Sequence, residues 1–450
     1  MASSNSQLYA CLMGFHVFFS NPNLTAEAGF GRVAHFPCIF DARPGYHRLG
    51  NEYLIERGLG FWYPFGEIPS QERGAPTAQS LKNYAFWLAN FLEWCEVRGI
   101  DLCHCSFTND IQGNYYSEML NGAWSRNGSS LTFSTANLRS NLACDFLFWM
   151  AHKGYRPKFV LPENKSQIRN SNIAGNQNEK SDSSQANRKK EIPTKGKLRM
   201  PTDIKVENWL NLIYKNLGES EGLFCELILL SAMRREEVAA FRLNTIPESR
   251  ADWDISNPTA PYSEQQVSIS IKYGTKGKCY GYDHGDKIGP EREIKIPLAI
   301  VDRLHAYRRN TRTAALKKWI KSATTLIEKQ DRILNSVHLF LNQRSGKRIT
   351  GKDIYSAWTS APLPIGGWSP HQGRHWWACS ILWREFEKHQ KSHDSLSDDA
   401  PLNFTPFGLN VIRLVIKPQL GHSHENTTII YLRWFADMVG SGLSLIYDSD

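Results

Sequence analysis

The stretch QLGHSHENTTIIYLRW (residues 419–434) places His422 in a Leu-Gly-His turn, nine residues before Tyr431. Two explanations for this spacing are open. A tyrosine in an apolar run commonly packs in a core, and in that case the histidine only completes the turn. Alternatively, the Tyr431 hydroxyl is a nucleophile that His422 assists. The other reactive side chains of the chain decide between these explanations.

Three further segments carry side chains that suit the second explanation. SAMRREEV has Arg234 in a predicted helix, three residues before Glu237, and HQGRH holds Arg374 between His371 and His375. The third segment, KYGTKGK, is a lysine-rich turn. Taken singly, each segment has a structural explanation, because Arg–Glu pairs on helices, solvated lysine turns and buried histidines are all common.

Taken together, the segments supply the parts of a phosphodiester cleavage. Two arginines can grip the non-bridging oxygens, on which negative charge grows as a nucleophile attacks, and both stay charged at neutral pH. A tyrosine hydroxyl can attack the phosphorus and form a covalent intermediate. A lysine or a histidine can give the leaving oxygen its proton. This chemistry needs neither a metal ion nor a cofactor.

These segments resemble the motifs of tyrosine recombinases of the phage integrase family. AMRREE is similar to the family's first arginine box, HQGRH to its His-x-x-Arg-His box, and LGHSHENTTIIY to its Leu-Gly-His…Tyr box. The resemblance covers most of the chain. YAFWLANFLEW and ANLRSNLACDFLFWMAHKG look like the family's helical core-binding domain, and residues from about 198 onward look like its catalytic domain.

The resemblance implies a role for each matched residue. Tyr431 is expected to be the nucleophile, leaving a 3′-phosphotyrosyl link and a free 5′-hydroxyl. Arg234 and Arg374 are expected to clamp the scissile phosphate. His371 is expected to assist proton transfer, and His422 to hydrogen-bond the phosphate.

Two matched residues are expected to act structurally, namely Glu237 as support for the arginines and His375 as part of the box. The stretch between the last two boxes includes KSHDSLSDDAPLNFTPFG (residues 391–408), which predicts an inserted surface loop. Ala232 stands where the family more often has glycine. Neither difference removes a reactive group.

The family's general-acid lysine lies in the hairpin turn, and Lys276 is the predicted residue here. Lys272, Lys278 and Lys287 are rival candidates, because this turn is longer than in compact family members.

The predicted helices and strands that position these residues indicate a mainly α protein with a small antiparallel β-sheet, an α+β arrangement. The resemblance extends this to a two-domain DNA clamp. Residues 1–76 are an N-terminal arm or accessory segment, and residues 77–162 a helical core-binding domain. Residues 163–197, polar and basic, predict a flexible linker. Residues 198–450 are the predicted catalytic domain.

Individual elements follow from periodicity. Apolar residues at three- and four-residue steps predict helices over residues 77–98 and about 135–152. Alternation predicts a hairpin of residues 265–274 with 292–298, and a strand and turn within 337–350. A further helix is predicted to begin near Pro370.

Composition bounds the partners and the compartment. The 450-residue chain carries a formal charge of +9, which favours a polyanionic partner such as double-stranded DNA. Without an apparent export signal or membrane span, a cytoplasmic, nucleoid-associated protein of prokaryotic type is expected. The nine cysteines are scattered, and the DLCHCS segment (residues 101–106) does not have the paired spacing of a zinc site.

The predicted function is site-specific DNA recombination that integrates or excises a mobile element. The resemblance implies a homotetramer on paired sites, with accessory or partner recombinase proteins as further partners. Two different functions stay open: that of an enzyme like the type IB topoisomerases, which uses the same chemistry to relax DNA, and that of a non-catalytic DNA-binding accessory protein.

Overall fold

This computed structural model describes residues 14–41, 43, 45–66, 75–125, 127–161, 198–274, 282–392, 400–422 and 428–440. The chain divides into two compact units, Met1–Gly196 and Lys197–Asp450. Its described residues are mainly helical with two small antiparallel sheets, so the predicted class of secondary structure is confirmed. The predicted linker, residues 163–197, lies outside the described residues.

The first unit is a helical layer with one two-stranded sheet. Its elements are β1 (His16–Phe19), α1 (Pro22–Thr25), β2 (Pro37–Phe40), α2 (Arg48–Leu59), α3 (Ala78–Arg98), α4 (Ser117–Asn121) and α5 (Phe133–His152). A π-helical segment, Phe107–Tyr116, precedes α4. Ile39, Tyr53 and Trp62 belong to the same buried cluster as the apolar faces of α3 and α5, so residues 14–66 form a layer of this unit.

Capping explains where α3 begins and ends. The Thr77 side chain accepts a hydrogen bond from the Ser80 amide, and Gly99 ends the helix in the left-handed region at φ +64°. In α5 one residue of the predicted apolar stripe, Leu138, is exposed. The buried Asp145 of α5 instead holds the preceding layer by accepting hydrogen bonds from Tyr53 Oη and the Phe65 amide.

The second unit carries most of the predicted reactive residues. Its helices are α6 (Asp203–Leu217), α7 (Glu219–Ser231), α8 (Arg235–Ala239), α9 (Leu298–Arg309), α10 (Thr311–Lys321), α11 (Leu326–Leu334), α12 (Gly351–Trp358), α13 (Pro370–Ser392), α14 (Ala400–Val411), α15 (Lys417–Leu420) and α16 (Ile430–Gly440). A π-helical segment, Ile412–Ile416, joins α14 to α15. Helix α13 packs against both α7 and α16, which brings the HQGRH segment beside the C-terminal tyrosine.

One sheet of three strands supports this unit. Strands β3 (Gln266–Tyr273), β4 (Tyr282–Asp283) and β5 (Asp286–Pro297) pair in the order β3-β5-β4, all antiparallel. The alternating isoleucines of β3 and β5 face the core, as the hairpin prediction requires.

Two predicted elements are wrong. Residues 337–350 form no strand; they make only isolated bridges, such as Leu341 to Arg348. The segment 391–408 is not simply a surface loop, because Ala400–Val411 is a helix despite Pro406 in its interior, while residues 393–399 lie outside the description. The sequence suggested a loop because proline and acidic turn formers disfavour helices. Pro401 lies in the first turn, where proline is tolerated, and contacts with α13 and α16 offset the cost of Pro406.

No described helix has both the length and the hydrophobicity needed to cross a bilayer. Within the described ranges, no group of three or more His, Cys, Asp or Glu side chains could hold a metal ion.

Candidate active site

The sequence predicted Arg234 within a helix, but the structure places it at a break between two helices. Helix α7 ends because Ala232 adopts the left-handed conformation, with φ +54°. Arg234 then takes an extended conformation and caps α8. Its amide donates to Glu237 Oε2 at 2.7 Å, and its Nη1 donates to Glu237 Oε1 at 2.8 Å. The break fixes both the backbone and the side chain of Arg234 on one carboxylate.

Three arginines converge on Glu237, whose side chain is fully buried. Arg292 of β5 donates from Nη1 to Oε1 at 2.6 Å and from Nη2 to Oε2 at 2.8 Å. Arg374 Nη1 lies 3.9 Å from Oε2. Burial alone would raise the pKa of Glu237, but hydrogen bonding and the charge of Arg292, followed by the charges of Arg234 and Arg374, lower it. Glu237 is therefore ionised, and the group has two positive charges in excess.

Arg374 on α13 is nearly inaccessible to solvent and retains unused hydrogen-bonding capacity. Its Nη2 donates to the Leu420 carbonyl at 2.9 Å, while its buried Nη1 has no hydrogen-bond partner. Burial and the nearby charge of Arg234 lower the pKa of Arg374 to about 10, so it stays charged at neutral pH. A buried charged donor without a partner is costly and suits an incoming anion.

The Leu-Gly-His turn links the two predicted arginines. The Leu420 carbonyl that accepts from Arg374 also accepts from Arg234 Nη2 at 3.2 Å, and the Gly421 carbonyl accepts from the same Nη2 at 3.1 Å. Gly421 has φ +61°, and a Cβ there would approach Arg292 Cδ to 2.9 Å. The turn thus needs glycine both for its backbone conformation and for the close approach of Arg292.

Gln419 fixes the position of this turn. Its Nε2 donates to the Ser231 carbonyl at 2.9 Å and to the Lys295 carbonyl at 2.8 Å, while its Oε1 accepts from the Lys295 amide at 3.0 Å. One side chain therefore joins α15 to the end of α7 and to β5. Since Arg234 follows the end of α7 by three residues and Arg292 lies on β5, Gln419 sets where the turn carbonyls meet these arginines.

His422 lies at the edge of the arginine group. Its Nδ1 is 3.2 Å from the hydroxyl of the buried Thr428. Burial, then the charges of Arg374 and Arg234, lower the pKa of His422 to about 4, so the ring is neutral at pH 7. A neutral imidazole with one nitrogen engaged by Thr428 can donate or accept one further hydrogen bond.

Tyr431 and His375 form the second part of the site. Tyr431, at the start of α16, is fully buried, and its hydroxyl lies 2.8 Å from His375 Nδ1. Burial, with a smaller contribution from Cys379, raises the pKa of Tyr431 above its usual value, whereas Arg374 lowers it. Burial, then the charges of His371, Arg374 and His422, lower the pKa of His375 to about 4. His375 is thus neutral and in contact with the predicted nucleophile.

The remaining predicted residues divide into described and undescribed ones. His371 occupies the first turn of α13, with its ring centroid 4.6 Å from that of His375. Lys276, the predicted general acid, and Lys278 lie outside the described residues, on the segment that joins β3 to β4. Lys272 lies before this segment and is exposed on β3, and Lys287 lies after β4 and is half-buried on β5.

Sequence reasoning missed Arg292 and the contact between His375 and Tyr431. A signal for Arg292 existed, because it occupies the same face of β5 as the buried Ile294 and Ile296. A charged residue in the core register of a strand requires a partner of opposite charge. No comparable signal marks His375, since its contact depends on how α13 and α16 pack.

Neither a protein-family model nor a curated protein matches this chain. Among solved structures, it is similar to the Tn1549 transposon integrase in complex with circular intermediate DNA, with 12% identity, a TM-score of 0.44 and coverage of 85% of this chain and 94% of that one. It is also similar to XerH site-specific recombinase bound to difH substrate in a pre-cleavage complex (16% identity, TM-score 0.41, coverage 88% and 95%) and to XerA recombinase (14%, 0.30, 86% and 98%). What the chain does is therefore inferred from its own residues.

Proposed function

We propose that this protein is a tyrosine site-specific DNA recombinase, which breaks and rejoins DNA strands through a covalent 3′-phosphotyrosine at Tyr431. The observation that carries the proposal is the group of three arginines on one buried carboxylate, with two positive charges in excess, and a Tyr431 hydroxyl whose pKa burial raises and the charge of Arg374 lowers. Such a group is electrostatically incomplete without an anion, and a phosphodiester carries the charge and the acceptor oxygens that it lacks.

The arginines would bind the two non-bridging oxygens of the scissile phosphate. Arg234 Nη2 and Arg374 Nη2 both donate to the Leu420 carbonyl, at 3.2 and 2.9 Å, so the two nitrogens lie close to each other. Arg374 Nη1 supplies an unused donor, and His422 supplies another hydrogen bond. Fixed charges that meet developing negative charge in a site shielded from water provide the largest share of such catalysis.

The covalent step would proceed from the Tyr431 hydroxyl. Its oxygen attacks the phosphorus, the bond to the 5′-oxygen breaks, and the 5′-hydroxyl leaves with a proton from a general acid. Lys276 remains the proposed acid, and His371 remains a candidate for assisting proton transfer. The 5′-hydroxyl of another strand can then attack the phosphotyrosine, so the bond energy is conserved and no nucleotide cofactor is required.

The wider setting is proposed with the same function. The partner is double-stranded DNA, bound by a homotetramer on paired sites, with accessory or partner recombinase proteins where direction must be set. The reaction is integration or excision of a mobile element, within the nucleoid of a prokaryotic cell. Contacts to phosphates would make the affinity strongly salt-dependent.

The test is covalent trapping in cells that carry the native element. Cells are denatured rapidly, the protein is captured, and any attached DNA is sequenced, for wild type and Tyr431→Phe. DNA attached at one site through its 3′ end, and absent from the variant, is the expected result. Attachment scattered over the genome would favour DNA relaxation of the type IB topoisomerase kind. No attached DNA, in a protein that binds the element, would favour a non-catalytic accessory protein.

A further inference from the structure

We propose that His375, and not His371, takes the proton from the Tyr431 hydroxyl as that hydroxyl attacks phosphorus, an assignment that rests on the proposed function. The sequence motif alone suggested a structural role for His375. The geometry points elsewhere, because among the described histidines it is His375 whose Nδ1 lies at hydrogen-bonding distance from Tyr431 Oη, at 2.8 Å.

The contact has the orientation that proton transfer requires. A neutral imidazole carries one proton, and in the Nε2–H tautomer the Nδ1 lone pair accepts the hydrogen bond from the hydroxyl. The two rings are tilted by 52° with centroids 5.7 Å apart, so contact is made through the polar atoms rather than by stacking. Tyr431 is fully buried, which keeps bulk water from serving as the proton acceptor in its place.

The surrounding charges explain how His375 becomes basic only with substrate. Among the described residues, the groups that face it are His371 and Arg374 on its own helix, His422 at the Leu-Gly-His turn, and Tyr431 on α16. The positive charge of Arg374 disfavours protonation of His375 in the free protein. A phosphodiester bound to Arg374 offsets that charge, and so it favours an imidazolium at the moment when Tyr431 must lose its proton.

The proposed step balances in both directions. As the Tyr431 Oη–P bond forms, the O–H electron pair stays on oxygen and the proton passes to His375 Nδ1. The P–O5′ bond breaks, and the leaving oxygen takes its proton from the general acid. In the rejoining step a 5′-hydroxyl attacks the phosphotyrosine, and His375 returns its proton to the departing Tyr431 oxygen.

The experiment measures single-turnover cleavage by the full-length protein on a duplex of the captured site. His375→Asn is the informative variant, because its amide oxygen can occupy the place of Nδ1 and accept the hydrogen bond but cannot take the proton. His375→Ala removes both capacities. Each reaction is also run with sulfur replacing the 5′-bridging oxygen, since a thiolate leaves without needing a proton. Lys276→Ala serves as the matched control for loss of a general acid.

We expect both His375 variants to cleave about 10²- to 10⁴-fold more slowly than wild type, on the oxygen and the sulfur substrate alike. Lys276→Ala should recover on the sulfur substrate. The His375→Asn rate should rise about tenfold per pH unit between about pH 7 and 9, as hydroxide takes over. Wild type should be nearly flat there.

Three results would overturn the proposal. Cleavage by His375→Asn at close to the wild-type rate would show that His375 positions Tyr431 without taking its proton. Recovery of both variants on the sulfur substrate would show that His375 acts as a general acid. If neither variant folds, the wild-type profile decides, because a tenfold rise per pH unit would show that solvent takes the proton. A wild-type protein that forms no covalent complex would instead contradict the proposed function itself.

Discussion

In the described part of the second unit, arginines surround a buried carboxylate in two clusters. In the Glu237 cluster, Arg234, Arg292 and Arg374 share one carboxylate, leaving two positive charges in excess. The Asp286 cluster consists of Arg242, Arg348, His338, Asp283 and Asp286. There two arginines face two carboxylates, so the charges of the arginines are balanced.

Both clusters contain an atom without a hydrogen-bond partner, so such atoms do not distinguish the clusters. Their net charge does. Arg374 Nη1 lacks a hydrogen-bond partner in the first cluster, as Arg242 Nε does in the second. Arg242, however, lies over the Tyr273 ring at 3.4 Å and bonds both aspartates. The balanced cluster joins the start of β5 to residues 242 and 338 and is complete. The unbalanced one is complete only with an anion, which is why we place the chemistry there.

The largest expected effect sets Arg374 against Arg242. Arg374→Ala should slow cleavage by about 10³- to 10⁵-fold, since it removes a transition-state charge, while costing little folding stability. Arg242→Ala should do the reverse: it removes one of three charged or polar partners of the buried Asp286 and should cost about 1–3 kcal/mol in unfolding free energy, with cleavage per folded molecule unchanged. Single-turnover cleavage and chemical denaturation measure the two effects. Equal losses of cleavage activity in Arg374→Ala and Arg242→Ala would contradict the assignment of the chemistry to the Glu237 cluster.

A second comparison removes each central carboxylate. Glu237→Gln leaves the buried Arg374 and the partly buried Arg234 and Arg292 without a counter-charge and should destabilise the protein by about 3–5 kcal/mol. Inorganic phosphate should restore part of that stability, because it can replace the lost charge. Asp286→Asn should also lower the stability of the protein, but phosphate should not restore it. Thermal melts with phosphate or with chloride at equal ionic strength decide this, and recovery of both variants would contradict it.

Burial of two histidines beside the surplus charge also predicts how stability depends on pH. His375 and His422 have pKa values lowered to about 4 in the folded state, so between their ordinary pKa and 4 the unfolded chain binds more protons. Their contribution is fully present above about pH 6.5 and is lost as the pH falls towards 4. We expect the unfolding free energy to drop by about 1–3 kcal/mol between pH 7.5 and 5, allowing for partial solvent screening. The double variant His375→Asn, His422→Gln should flatten this slope, and an unchanged slope would contradict the account.

The smallest expected effect concerns the backbone break that presents Arg234. Ala232 holds a positive φ of 54°, which costs an L-residue about 1–2 kcal/mol. Ala232→Gly should therefore stabilise the protein by about 1 kcal/mol without changing cleavage. The same substitution at Ala357, inside α12, should destabilise it by about 1 kcal/mol. A loss of stability at residue 232 would mean that the alanine methyl group packs usefully there.

Much of the fold could be predicted from local sequence patterns. Helix α3 follows from apolar residues at helical spacing between a threonine cap and Gly99, and the β3–β5 hairpin follows from alternating isoleucines. The strand predicted within residues 337–350 does not form, because an apolar run does not reveal whether a neighbouring strand is available to pair with it. Helix α14 was missed because local composition opposed it, and packing against α13 and α16 prevailed.

For the candidate site, the sequence supplied the reactive residue types but not all of their contacts. Arg234, Arg374, His422 and Tyr431 were identified because their segments resemble the recombinase motifs, and their catalytic roles remain predictions. Arg292 could have been suspected from its place in the core register of β5, whereas Gln419 depends on where β5 meets α15, a contact between residues far apart in the chain that no local pattern encodes.

The most direct measurement is the mass of the tyrosine peptide in the captured protein–DNA complex. The complex is digested with nuclease until a short nucleotide remains and then with protease, and the peptides are sequenced by mass spectrometry. The account predicts a nucleotide linked through its 3′-phosphate to the peptide containing Tyr431, at the tyrosine oxygen. A nucleotide on any other residue, or an unmodified Tyr431 peptide in a complex that holds cleaved DNA, would contradict it.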